Sequence, residues 1–176
     1  MTPASLTFVL VHGAFMTGDM WKQTASVLRG DGHIVHTPTL AGHDPGDPMS
    51  LAHADAVASL TGYLHDHDLS DVVLVGHSIG GAYIAEAAAQ APTRIKRLVF
   101  LSAFVPGVGH ALADEFPPVV NPISDMALPP GEYASFPRFA QRLGPLARIL
   151  QIPGSHYVMF NRTADLAETL VSAGCD

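Results

Sequence analysis

Short, nearly continuous apolar runs constrain the fold of this chain more than any other feature. They span Leu6–Val11, Val72–Val75 and Leu98–Leu101. A strand that covers one face of a sheet alternates apolar and polar residues, whereas a continuous apolar run is typical of a strand buried on both faces of a parallel sheet. The sequence therefore predicts a sheet that is mostly parallel.

Helical patterns separate these runs along the chain. The predicted helices are Met20–Leu28, one within Leu51–His65, Ile79–Gln90 and Thr163–Ala173, and further strands are predicted at His33–Thr37 and Ala147–Ile152. Strands that alternate with helices favour an α/β fold with helices on both faces of a sheet of about six strands. The length of 176 residues suits one hydrophobic core, so we expect a single domain over residues 1–176.

The junction at Val72–Gly81 carries the clearest chemical signal. Gly76-His77-Ser78-Ile79-Gly80 stands between a buried strand and a helix, where a sharp turn lifts a serine hydroxyl out of the end of the sheet. A phosphate-binding loop would need G-x-x-x-x-G-K, and this segment has no lysine. The other alternative is an ordinary glycine-rich turn with an incidental serine. The strand before it and the helix behind it predict that Ser78 is a nucleophile.

A second segment fits the same chemistry. Phe8–Val11 is a strand that ends in His12-Gly13-Ala14, so its backbone can reach the edge of the sheet where Ser78 lies. The N–H groups of Ala14 and Ile79 are the candidate oxyanion hole, in which one donor contributes about 3 kcal/mol.

Together these segments resemble the α/β-hydrolase superfamily, and in particular its small esterase and hydroxynitrile-lyase-like branch. The resemblance extends over Phe8–Trp21, Thr39–His43, Val72–Gly81, Leu98–Pro106 and Gly154–Leu170. It implies a chain order of serine, acid and histidine, with no metal and no organic cofactor.

The resemblance also places a catalytic histidine in the loop before the last helix, where this chain has His156. A general base needs a neutral imidazole within hydrogen-bond reach of the hydroxyl. The alternative is a loop histidine without a role. Phe15, His77 and Tyr157 flank the predicted site and are candidates for substrate binding, although His12 and His77 more readily shape the site than transfer a proton.

Asp125 is the candidate acid, because Asp125–Pro129 resembles the acid loop of the family, an aspartate followed closely by proline. The rivals are Asp114, Glu115 and Glu132, and Asp125 could also be a solvated loop carboxylate. The other family position for the acid holds Ser102 here. The strand expected just before Asp125 is poor, because a proline, Pro122, stands inside it.

The chain departs from the family in the region that usually carries a helical cap. Only 22 positions separate Ala103 from Asp125, and many prolines lie in and after this segment. We therefore expect a minimal, capless α/β-hydrolase fold, either natural or as a shortened form of a longer protein.

Composition and charge limit the classes of molecule that this chain is expected to bind. The net charge of −7 and the absence of a basic cluster argue against nucleic acid and favour a neutral small-molecule ester. No apolar run is long enough for a membrane span, Leu6–Val11 lacks the flanks of a signal peptide, and the single Cys175 favours a cytoplasmic location. His65-Asp66-His67-Asp68 is not expected to bind metal, because helical geometry splays these side chains apart. The oligomeric state stays open.

Three functions are compatible with these features. The first is hydrolysis of a small ester through an acyl-enzyme on Ser78. The second is a hydroxynitrile-type lyase that uses the same residues for acid–base chemistry. Lyases of that branch resemble one another in carrying a glutamate before the serine and a lysine after the histidine, where this chain has His77 and Tyr157, so the esterase is favoured. The third is a non-catalytic binding protein with a hydrolase fold.

Overall fold

The structure, a computed structural model, describes residues 5–48, 50–105, 107, 142, 143, 145, 147, 148 and 150–175. Its strands are β1 (Thr7–Val11), β2 (Ile34–His36), β3 (Val72–His77) and β4 (Ile95–Leu101). Its α-helices are α1 (Lys22–Gly30), α2 (His53–Asp66), α3 (Gly80–Gln90), α4 (Val158–Asn161) and α5 (Thr163–Gly174). Short 3₁₀ helices lie at Gly18–Trp21 and Pro92–Arg94.

The four strands form one sheet in the order β2-β1-β3-β4, and every neighbouring pair is parallel. The predicted α/β fold with a mostly parallel sheet is confirmed. Val11 pairs with Gly76 and His77 with Leu101, so the carboxyl ends of the three strands β1, β3 and β4 meet at one edge. Loops at that edge carry most of the predicted site residues.

Helices cover both faces of the sheet, as the apolar runs predict. On one face, Phe8, Leu10, Val73 and Val75 pack with apolar residues of α1 and α5, such as Leu28 and Leu170. On the other face, Val9, Val11, Val72 and Leu74 pack with apolar residues of α2 and α3, such as Leu60 and Ile84. Successive side chains of a strand point to opposite faces, and this period explains why a run such as Phe8–Val11 must be apolar throughout.

The number of strands differs from the prediction. The described residues contain four strands, whereas about six were expected. Ala147–Ile152, predicted as the last strand, is not a strand at any of its described positions. Leu150 is 40% exposed and Gln151 is also exposed, so this run lacks the burial on two faces that stabilises a central strand. An apolar run forms a strand only where a neighbouring strand completes its backbone hydrogen bonds.

The chain divides into two compact units. One comprises Met1–Phe104 with Leu150–Asp176 and the other comprises Val105–Ile149. In the second unit the Arg142 guanidinium donates a hydrogen bond to the carbonyl of Val105 at 2.7 Å. The single domain over residues 1–176 stays a prediction. Within the described residues, no helix is long and apolar enough to cross a membrane.

Candidate active site

Ser78 occupies a strained turn between β3 and α3. Its φ angle is +56°, in the left-handed region, which costs a residue other than glycine about 1–3 kcal/mol. Hydrogen bonds hold this conformation: the N–H of Ser78 donates to the carbonyl of Leu101 at 3.4 Å, and its own carbonyl accepts from Gly81 and Phe104 at 3.1 and 3.0 Å. The turn is therefore tied to β4 and to the first turn of α3.

Two glycines make this turn possible. A Cβ atom on Gly76 would lie 2.5 Å from the carbonyl oxygen of Gly80, and one on Gly80 would lie 2.7 Å from the carbonyl oxygen of His12. Both distances are shorter than a carbon–oxygen contact allows. The glycine spacing in the sequence thus reflects a close approach of the α3 backbone to the ends of β3 and β1.

The segment after β1 lies directly against the serine. A Cβ atom on Gly13 would be 3.2 Å from the Cβ of Ser78. In the part of the chain that the structure describes, no group accepts a hydrogen bond from the N–H of Ala14 or of Ile79. Among the described residues, both predicted oxyanion donors are therefore without an acceptor, one in the loop beside Ser78 and one at the start of α3.

The His12 ring holds the backbone of this loop through two hydrogen bonds. The N–H of Leu40 donates to its Nε2 at 3.0 Å, so the ring proton must sit on Nδ1, which donates to the carbonyl of Gly13 at 3.0 Å. Burial lowers the pKa of His12 to about 4, which keeps the ring neutral and both bonds intact near neutral pH. His12 thus links the Gly13 loop to the backbone at Leu40, and its role in shaping the site stays a prediction.

His156 lies in the loop before α4, next to the residue that precedes the serine. Its ring is 4.5 Å from the ring of His77, measured between centroids. His156 is half-buried, and this burial lowers its pKa from the usual 6.5. The neutral form, which a general base requires, is therefore favoured.

His77 is the residue that connects the serine turn to the His156 loop. Its Nε2 donates a hydrogen bond to the carbonyl of His156 at 2.9 Å. The side chain is 1% exposed, and burial with the nearby His156 lowers its pKa to about 4. Burial leaves no ring surface for a substrate here, so the predicted substrate contact of His77 does not match its placement.

The other predicted site residues differ in exposure. Phe15, next to Ala14, is 89% exposed with a φ angle of +59°, so its ring is open to a substrate. Tyr157 is half-buried, and its ring centroid is 5.1 Å from that of His156. Asp125 lies outside the described residues, as do its rivals Asp114, Glu115 and Glu132.

The His65–Asp68 segment ends α2 and its side chains face different partners. His67 stacks on Tyr63, with ring centroids 4.0 Å apart, while the Arg94 guanidinium contacts Nδ1 of His65 at 3.2 Å and a carboxylate oxygen of Asp68 at 3.4 Å. The described residues contain no cluster of three or more metal-binding side chains.

This fold and this serine turn define a class of protein. The chain belongs to the alpha/beta hydrolase family, whose model matches residues 8–172. Its sequence is 39% identical over 120 residues to the carbendazim hydrolyzing esterase of Nocardioides sp. (strain SG-4G), and 36% identical over 108 residues to the alpha-hydroxynitrile lyase of Arabidopsis thaliana. The predicted superfamily and branch are confirmed.

A solved structure supports the same placement. An extracellular alpha/beta-hydrolase from a Paenibacillus species is similar with a TM-score of 0.63 and 45% identity, over 64% of this chain and 47% of that one. The two sequence alignments cover 65% and 58% of this chain, and 49% and 42% of the esterase and the lyase. The chain therefore spans about half the length of these relatives.

Proposed function

We propose that this protein hydrolyses a small carboxylic ester through an acyl-enzyme on Ser78. His156 acts as the general base, the N–H groups of Ala14 and Ile79 hold the oxyanion, and Asp125 orients the imidazole of His156. Phe15 and Tyr157 contact the substrate.

The chemistry follows two linked steps. His156 takes the hydroxyl proton while Ser78 Oγ bonds to the ester carbonyl carbon, and the carbonyl oxygen becomes the oxyanion. The carbon–oxygen bond to the alcohol then breaks, and the imidazolium returns the proton to the leaving alkoxide. In the second step, water attacks the carbonyl carbon of the acyl-enzyme and gives a proton to His156. The bond to Ser78 Oγ then breaks, the Ser78 oxygen takes the proton back from the imidazolium, and the carboxylic acid leaves.

The observation that carries the proposal is the strained Ser78 with His156 beside the preceding residue. A φ angle of +56° persists only because hydrogen bonds and close glycine contacts hold it, and strain of this kind concentrates at functional sites. The N–H groups of Ala14 and Ile79, which have no acceptor among the described residues, would supply the donors that a developing negative charge needs.

The relatives support ester hydrolysis as the reaction class. They include a carbendazim hydrolyzing esterase, a pyrethroid hydrolase and plant methylesterases. Because the chain carries a net charge of −7, it repels a neutral ester less than an anionic one.

We also propose that the site is open and lacks a cap, and that the protein is cytoplasmic. The proposed location rests on the single cysteine, Cys175.

One observation favours a second candidate, a lyase that cleaves hydroxynitriles, because an alpha-hydroxynitrile lyase is among the relatives. Lyases of that branch resemble one another in having a glutamate before the serine and a lysine after the histidine. This chain has His77 and Tyr157 at those positions, which supports the esterase instead. Release of cyanide from an aromatic cyanohydrin, without hydrolysis of p-nitrophenyl acetate, would select the lyase.

The Ser78→Ala variant tests the proposed function. It should lower the hydrolysis of p-nitrophenyl acetate by at least about 1,000-fold while its circular dichroism stays that of the wild type. Ser102→Ala is the matched control, since Ser102 is an exposed serine with a positive φ at the same edge of the sheet, and it should keep full activity. Hydrolysis by Ser78→Ala at the wild-type rate would refute the proposal.

A further inference from the structure

His77 makes a long-range bond that the proposed chemistry does not yet use. Its Nε2 is 2.9 Å from the carbonyl oxygen of His156, a residue 79 positions later in the chain. His77 ends β3, a fully buried strand inside the sheet, whereas His156 belongs to a loop. The bond thus attaches a loop to an interior strand of the sheet.

The direction of this bond fixes the protonation of the ring. A carbonyl oxygen can only accept, so Nε2 must carry the proton and donate. Nδ1 is then an unprotonated acceptor. It faces Gly13, where a Cβ atom would lie 2.9 Å away, and it has no partner among the described residues.

The surroundings keep the ring in this neutral form. His77 is buried, the Trp21 ring stands perpendicular to it with centroids 6.3 Å apart, and the centroid of the His156 ring is 4.5 Å away. The titratable groups that face it are His156, Tyr157 and, more remotely, His12. Because burial lowers the pKa of His77 to about 4, the donated bond persists over the pH range in which a histidine base works.

We propose that His77 is a positioning residue, whose Nε2–H holds the backbone carbonyl of His156 and so keeps the imidazole of His156 beside Ser78. This inference rests on the proposed function. It assigns His77 a task different from substrate binding, and it explains why a buried histidine, rather than an apolar residue, precedes the serine. General base catalysis depends on distance, and a misplacement of about 1 Å costs on the order of 100-fold in rate.

A pair of variants separates the hydrogen bond from simple packing. His77→Phe keeps a buried ring but loses the donor, and it should lower kcat about 10- to 100-fold with KM changed by less than about threefold. His77→Gln places an amide N–H near the former Nε2 and should recover at least about tenfold of any such loss. If His77→Phe does not fold, His77→Asn replaces it, since its amide is too short to reach the carbonyl.

A second readout reports on His156 itself. In the wild type, the acid limb of the kcat/KM profile and the NMR titration of the His156 ring should lie below pH 6.5, because burial lowers that pKa. In His77→Phe the loop is released and more solvated, so both should move up towards 6.5. The resonance of His156 is assigned by its loss in His156→Gln.

The control is His33→Phe. His33 is buried at the opposite end of the sheet, where its Nδ1 accepts from the N–H of Leu6 at 3.2 Å, so its loss should lower stability without moving kcat or the acid limb. His77→Phe with wild-type kcat and titration would overturn the inference, as would equal losses in His77→Phe and His77→Gln with an unmoved acid limb. Ser78→Ala measured alongside keeps this failure distinct from failure of the proposed function, and the NMR titration needs no turnover.

Discussion

At the scale of single residues, the site depends on backbone groups as much as on side chains. The carbonyl of Ser78 accepts hydrogen bonds from two backbone N–H groups, and the carbonyls of Gly13 and His156 each accept one from a histidine ring. Two of those donors are buried neutral histidines, His12 and His77, and burial lowers the pKa of each to about 4. His156, the proposed general base, differs from both in being only half-buried.

Asp125→Asn tests the proposed acid. An uncharged amide at this position cannot stabilise the imidazolium, and its NH2 can donate to Nδ1 and select the wrong imidazole tautomer. The value of kcat should therefore fall by about 1,000-fold or more while KM stays within a few fold. The measurement is steady-state hydrolysis of p-nitrophenyl acetate. Glu132→Gln and Asp114→Asn are the controls and should keep wild-type kcat. If one of them, and not Asp125→Asn, causes the loss, the acid is that residue instead.

Local motifs account for what could be predicted at this scale. Ser78, Gly76 and Gly80 are recognisable because the turn imposes their spacing over five positions, and His156 because the family resemblance implies a histidine in the loop before the last helix. The hydrogen bond from His77 to His156 could not be predicted in the same way. Its partners are 79 positions apart, and only the folded sheet brings them together.

At the scale of secondary structure, the unit that forms the site is β3, the serine turn and α3, packed on the end of β1. The first residues of α3 approach the carbonyls of Val11 and His12 closely. The same packing brings the start of α3, with its positive dipole end, to the loop that holds Ala14. Positioning of the proposed oxyanion donors therefore depends on how these two elements pack.

Gly80→Ala tests this packing. The added methyl group would lie 2.7 Å from the His12 carbonyl oxygen and 3.1 Å from that of Val11, so α3 must shift, at a cost of about 1–3 kcal/mol in the free energy of unfolding. The rate of ester hydrolysis should fall by more than the loss of folded protein accounts for. The control is Gly62→Ala in the middle of α2, where nothing lies within 4 Å; it should stabilise the fold by about 0.5–1 kcal/mol. Equal effects of both variants, measured by urea unfolding, would contradict this packing.

Secondary structure was predictable where burial and pattern agree. The runs that became β1 and β3 are almost entirely buried, and β4 is mostly half-buried. The helix predicted at Thr163–Ala173 appears as α5, which starts at the same residue and ends one residue later. Ala147–Ile152 has a similar composition but no strand partner at its described positions. Residue type cannot reveal whether a neighbouring strand is present, and that prediction was wrong for this reason.

At the scale of the whole molecule, buried neutral histidines link stability to pH. Burial lowers the pKa of His12 and of His77 to about 4, and it also lowers that of His156. In the unfolded chain these rings titrate near 6.5. Between the two values the unfolded state binds more protons than the folded state, so acid favours unfolding.

The free energy of unfolding should therefore fall as the pH is lowered from about 6.5 towards 4, by up to about 1.4 kcal/mol per pH unit for each such histidine. Urea unfolding followed by the fluorescence of Trp21, the single tryptophan, at about pH 7, 6 and 5 measures this slope. His77→Gln removes one of the groups and should make the slope shallower. A free energy of unfolding that is the same at about pH 7 and pH 5 would contradict the burial of these rings.

The central claim is that Ser78 is an activated nucleophile, and covalent labelling tests it most directly. The folded wild-type protein is treated with a fluorophosphonate, digested and mapped by mass spectrometry. The account predicts one adduct per chain, on the oxygen of Ser78, and none when the protein is denatured before treatment, because the hydroxyl reacts only beside His156. A folded protein that takes no adduct, or takes it at another serine, would contradict the assignment of Ser78.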